Sequence, residues 1–173
     1  MRNATWFLAA AVVVGVVASA QAQHQSALSS PAADTRKPLP LTAMMAEHQK
    51  ANMREHLAAI QRIVGAVARD DMTEVEKVTA TIGSSESMGR MCDHMGAAAP
   101  GFTPMALAFH RTADGIAVAA RSGDRKAVLT ALDATLQTCV GCHAAWRQEV
   151  VDEGTWQRIA TESGAAHGAA GTH

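Results

Sequence analysis

Cys139, Val140, Gly141, Cys142 and His143 stand in the order C-x-x-C-H, and this pentapeptide constrains the chain more than any other stretch. Two cysteines three residues apart share one face of a helix. Both thiols can then reach the vinyl edge of one porphyrin and add to it as thioethers, and the adjacent histidine is placed to give the iron an axial nitrogen. Gly141, between the cysteines, leaves room for the flat macrocycle. Two other chemistries use paired cysteines. A redox dithiol belongs in a βαβ setting, and none is visible; a zinc site needs a second cysteine or histidine pair at ligand spacing, and none follows. The residues therefore point to one covalent haem c, with Cys139 and Cys142 as its attachment points and His143 as the proximal iron ligand.

The N-terminus agrees with that chemistry. Arg2 is a positive n-region, Trp6 to Val17 is apolar, and Ala18 to Ala22 is a run of small residues that ends in a cleavage site after Ala22. Haem is attached to c-type apoproteins outside the bacterial cytoplasm, so an export signal is what such a chain requires. The expectation is a signal peptide over 1–22 and a periplasmic mature protein with no membrane span, since the apolar run is short and no later stretch is long enough. Removing residues 1–22 from the 173 leaves 151 and moves the formal charge from −1 to −2. A near-neutral chain of that size makes one domain and gives no sign of a nucleic-acid partner.

Residues 23–40 are rich in Ser, Ala and Pro without periodicity and predict a flexible linker. Residues 160–173 are rich in Gly, Ala and His and predict a disordered tail. Between them, 41–159 predicts four helical segments. The composition favours helix, with no Tyr, three Phe, three Trp and nine Met. The first segment, Leu41 to Arg69, carries Met53, Leu57, Ile60, Val64 and Val67 at alternating four- and three-residue steps, an apolar stripe expected to face inward. Asp71 and Glu74 form a capping-box pattern that opens the second segment, Met72 to Met95, with a weak point at Gly83-Ser84-Ser85. The third begins with Thr103 as N-cap and Pro104 at the first helical position, and Ser122-Gly123 stops it. The fourth runs from Asp124 to Val151, with Leu129, Leu132, Leu136, Cys139, His143, Trp146 and Val150 on one stripe. Four such segments joined by short loops predict an all-α fold, an antiparallel four-helix bundle with haem near the C-terminal helix.

Over Met45 to Arg147 the chain resembles the cytochrome c′ superfamily, four-helix bundles that carry C-x-x-C-H near the C-terminus. The resemblance rests on Ala120-Arg121-Ser122-Gly123-Asp124 before the last helix and on Cys139 to Arg147, where the motif is followed by Ala144-Ala145-Trp146-Arg147. It implies that Arg147 lies near a haem propionate and that a homodimer is possible. It also implies two options for the sixth iron position: empty and open to NO or CO, or filled by a first-helix methionine. Met53 falls at that place. A soft thioether on the expected inward stripe suits haem iron. His56, three residues on and on the same side of the helix, is the rival ligand; His110 is expected to flank the pocket, and His48 to lie at the surface.

One cluster has no place in that pattern. Met88, Met91, Cys92 and Met95 share a helical face. Soft sulfur ligands in an exported chain suit copper(I), whereas the plainer reading is that methionine fills the volume left by scarce aromatics. With no separate catalytic constellation, no enzyme is expected. The expected function is single-electron transfer with redox partner proteins; the alternative is a five-coordinate haem that binds NO or CO.

Overall fold

The computed structural model describes residues 33–170. The signal-peptide expectation and most of the linker expectation lie outside the described residues. The chain is mostly helical, with six helices and one two-stranded sheet among the described residues.

Strand β1 covers Lys37–Leu41, so the last residues of the expected linker are ordered backbone. Helix α1 follows over Ala43–Ala68, where Thr42 Oγ1 accepts the Met45 N–H at 3.4 Å and so caps the first turn. Asp70 ends the helix with φ 63°, a left-handed conformation that aspartate tolerates, and the Asp71 N–H turns back to the Ala66 carbonyl at 3.0 Å. Asp71 then caps α2, Met72–Thr79, accepting the Glu74 N–H at 3.0 Å. The other half of the capping box is replaced by a tertiary contact, because the Glu74 carboxylate pairs with Arg62 of α1 at 2.6 Å.

The expected second segment divides where its sequence is weakest. Helix α3, Glu86–Gly96, starts afresh from Ser85, whose Oγ accepts the Met88 N–H at 3.1 Å. Gly83 is required there by close approach: the Asp114 carboxylate comes across to accept the Ser84 N–H at 3.0 Å, and a Cβ at Gly83 would collide with it.

Helix α4 covers Phe102–Arg121 and begins earlier than expected, after Gly101 at φ 92°. Thr103 is not its cap. Its hydroxyl donates instead to the Cys92 carbonyl at 3.3 Å, tying α4 to α3, and Pro104 sits in the first turn, where its missing N–H breaks no helical bond. Gly123, at φ 72°, makes the next reversal, and Asp124 caps α5, Arg125–Ala145, by accepting from the Lys126 and Ala127 N–H groups.

The largest departure follows. Helix α5 stops at Ala145, short of the expected Val151, and Trp146–Val150 forms β2, which pairs in parallel with β1 from Lys37↔Trp146 to Leu41↔Val150. Pro38 and Pro40 lack amide donors, and a strand with a single partner tolerates them. Helix α6, Glu153–Ala170, occupies much of the segment expected to be a disordered tail.

Two apolar clusters result. The first joins Ile63 and Val67 of α1, Val75 and Val78 of α2, Phe109 and Ile116 of α4, and Leu132 of α5. The second gathers Leu39, Leu41, Met45, Met95, Phe102, Trp146 and Trp156 around the sheet. The expected inward stripes are buried only in part: Val67 of the first and Leu132 and Trp146 of the last are in the core, and most of the other residues on those stripes are not. Helix α1 buries Ala59, Ile63, Ala66 and Val67, whereas Leu57 is 70% and Val64 50% exposed. Helix α5 buries Val128, Leu132 and Thr135, whereas Leu129 is 48% and Leu136 40% exposed. Each helix sets one apolar row into the core and leaves a second apolar row exposed beside it.

Candidate functional site

Where the bulky rows converge, α1, α4 and α5 leave a cavity of about 350 Å³. Helix α1 contributes Met53, Arg54, His56, Leu57 and Ile60; α4 contributes Phe109; α5 contributes Leu136, Cys139 and His143. Four of the residues singled out in the sequence therefore meet at one opening. Leu136, Cys139 and His143 are brought there by three- and four-residue steps along α5.

His143 is exposed at the rim, and its carbonyl accepts from the Arg36 guanidinium at 3.4 Å. Cys139 is half-buried, packs against the first apolar cluster, and its Sγ lies 3.6 Å from the Thr135 carbonyl. Cys142 packs against the second cluster and is not part of this lining. The two thiols thus straddle the junction between the clusters. Both are free, and burial pushes each thiol up, Cys142 further by the proximity of Cys139. They also sit at the C-terminal end of α5, where the helix dipole opposes a thiolate. A redox dithiol needs the opposite environment, one that lowers a thiol pKa. Among the described residues no group of three or more His, Cys, Asp or Glu could hold a metal ion, so the pair is not half of a zinc site built from those residues.

Across the cavity, Met53 is 39% exposed and lines the opening. His56 lies deeper, stacked on Phe109 at 4.5 Å between ring centroids and 26° between planes, with His110 edge-on at 5.5 Å. Burial, and then the neighbouring His110, lower the His56 pKa to about 4, so its ring is neutral near pH 7 and one nitrogen keeps its lone pair. His110 is 4% exposed and its Nδ1–H donates to the Ile82 carbonyl at 2.8 Å; it borders a different cavity. His48 is at the surface, as expected.

Arg147 lies on β2, not on a last helical turn. It pairs with Glu149 at 3.0 Å and does not line the cavity.

A haem can be tested against this lining. The cavity has apolar walls on three helices, an opening edged by exposed Leu57 and Leu136, and a thiol and an imidazole on one side with a thioether and a neutral imidazole on the other. Val140, at 69% exposure, extends the uncovered apolar row between Leu136 and His143. A Cβ at Gly141 would meet nothing within 4 Å, so nothing in the protein itself requires glycine there, in a helix where it costs about 1 kcal/mol relative to alanine. A flat apolar ring that bonds to Cys139 and is ligated by histidine fits this lining, whereas Cys142, packed against the second cluster, does not open onto it. Comparison with protein-family models, curated proteins and solved structures gives no match. The chemistry therefore rests on these residues alone.

The strand pair, the His56–Phe109 stack and the grouping of the α3 sulfurs with His110 were not foreseen. Only the stack had a local signal, since Phe109 and His56 lie on the faces that α4 and α1 turn toward one another.

Proposed function

We propose that this chain is an exported c-type cytochrome that carries single electrons, with one haem covalently held by Cys139 and Cys142 and ligated by His143. The observation that carries the reading is the shared cavity: Cys139 and His143 open onto the same apolar space as Met53 and His56. In this reading α1, α2 with α3, α4 and α5 make a four-helix bundle, and the haem fills the gap beside the exposed rows of α1 and α5.

When bound, the haem supplies an iron that is reduced and reoxidised by one electron. The chain's own contributions are separate from that. With a ring seated there, Leu57, Ile60, Phe109 and Leu136 would cover it and keep water away. His143 would supply a nitrogen and Met53 a thioether to its iron, and the neutral His56 ring, held by its stack on Phe109, lines the same cavity. Two protein ligands would leave little to rearrange on reduction, which suits electron transfer to partner proteins. No residue here is assigned to substrate chemistry, and Arg147 is proposed to approach a propionate only if its exposed pairing with Glu149 opens. Periplasmic location follows from the N-terminal pattern, and no helix among the described residues is long and apolar enough to cross a membrane.

The test is mass spectrometry of the exported protein, with CO added to the reduced form. Covalent haem on wild type and none on Cys139→Ala/Cys142→Ala is expected, together with slow or absent CO binding. Covalent haem with immediate CO binding would transfer the assignment to gas binding, for which Met53, partly exposed and displaceable, would be the gate. Absence of covalent haem would remove both.

A further inference from the structure

A second, smaller cavity of about 60 Å³ lies between α1, α3 and α4 and shares Met53, His56 and Phe109 with the first. Its composition is unusual. Met88, Met91, Cys92 and Met95 of α3 line it at positions i, i+3, i+4 and i+7, and His110 of α4 faces them. No carboxylate lines it, so it offers nothing to a hard cation such as calcium or magnesium.

We propose that this cavity is a copper(I) site, with the thioethers of Met91 and Met95 and the Nε2 of His110 as its principal donors. Three observations support it. First, the His110 Nδ1–H is committed to the Ile82 carbonyl at 2.8 Å, so in the neutral ring Nε2 carries the lone pair; this is how metal-ligating histidines are oriented. Second, the Met91 sulfur is already in a polar setting. It accepts from the Asn52 side-chain amide at 3.2 Å and lies 3.1 Å from His48 Nε2, and His48 is at the surface, which provides a route for metal from solvent. Third, methionines that merely fill a core close its gaps, because their three rotatable bonds let them adapt. Here four α3 sulfurs surround space that stays open, at a scale that suits one ion. Thioethers and imidazole are a ligand set that selects copper(I) among biological metals.

The site is distinct from the haem cavity and does not depend on haem being present, although Met53, His56 and Phe109 border both. The experiment is an anaerobic titration of the full mature protein with copper(I) against a chromophoric chelator, with the visible spectrum and thermal midpoint followed in parallel. Wild type should take up one equivalent. Met91→Leu/Met95→Leu, which keeps side-chain volume, should weaken binding at least 100-fold with spectrum and midpoint unchanged. His167→Ala/His173→Ala should bind as wild type. No uptake by wild type, equal affinity in the methionine double variant, or uptake abolished by the tail histidine changes would each overturn the proposal.

Discussion

His56 is the residue where burial has the clearest energetic consequence. In an unfolded chain its ring takes a proton near pH 6.5, but in the fold it resists one until about pH 4. Between those values the unfolded state holds more protons than the native state, so stability must fall as pH falls and level off above about 6.5. At about 1.4 kcal/mol per tenfold change in proton affinity, the ceiling is about 3 kcal/mol. Solvent reaching the half-buried ring reduces that to roughly 2 kcal/mol. Urea denaturation of the haem-free Cys139→Ala/Cys142→Ala protein should therefore show a loss of this size from pH 7 to 4, and adding His56→Gln should remove most of it. An unchanged slope would mean the ring is not held away from water.

At the scale of elements, the sheet is what holds the two ends of the described chain together. Leu39 and Leu41 are 2% and 0% exposed, and Gln148 of β2 reaches α1, donating to Gln49 Oε1 at 2.6 Å and to the Ala46 carbonyl at 3.3 Å. Leu39→Ala should cost about 2–4 kcal/mol, the usual range for emptying a buried leucine position, measured as a shift in denaturation midpoint at constant m value. A loss under about 0.5 kcal/mol would mean that β1 is not docked. Such a strand was hard to read from sequence. Its partner lies more than a hundred residues away, and Lys-Pro-Leu-Pro-Leu has the composition of a linker. The end of α5 was misjudged for a related reason: Trp146 and Val150 are four apart, a spacing that continues a helical stripe and also fits one face of a strand. Two helix starts were legible from a local cap, Asp71 and Asp124, and so was the stop at Gly123; the equally local caps Thr42 and Ser85 were not read as such. Thr103 failed as a cap because a tertiary acceptor, the Cys92 carbonyl, captures its hydroxyl.

For the whole molecule, the notable property is how much apolar surface the protein leaves uncovered beside its own core. Met53, Leu57, Leu136 and Val140 are all substantially exposed around the opening that contains Cys139 and His143. The C-x-x-C-H pentapeptide announced this site in the sequence, but the stripes did not, because periodicity cannot distinguish residues that face other residues from residues that face a cofactor. In the present account the cofactor supplies the missing contact. The haem-free double variant should then bind a hydrophobic dye such as ANS at least several-fold more strongly than the haem-loaded protein and unfold at a lower temperature. Equal dye binding would mean that the rows are covered by something else.

The most direct test of the central claim is the visible spectrum of the protein purified from the periplasm and reduced with dithionite, compared with Met53→Ala. The wild-type protein should be coloured, with the sharp α and β bands of a six-coordinate ferrous haem c, and Met53→Ala should show a broad high-spin band. A colourless protein would contradict the account at its root, and sharp bands that survive Met53→Ala but vanish in His56→Ala would replace the thioether with imidazole as the second ligand.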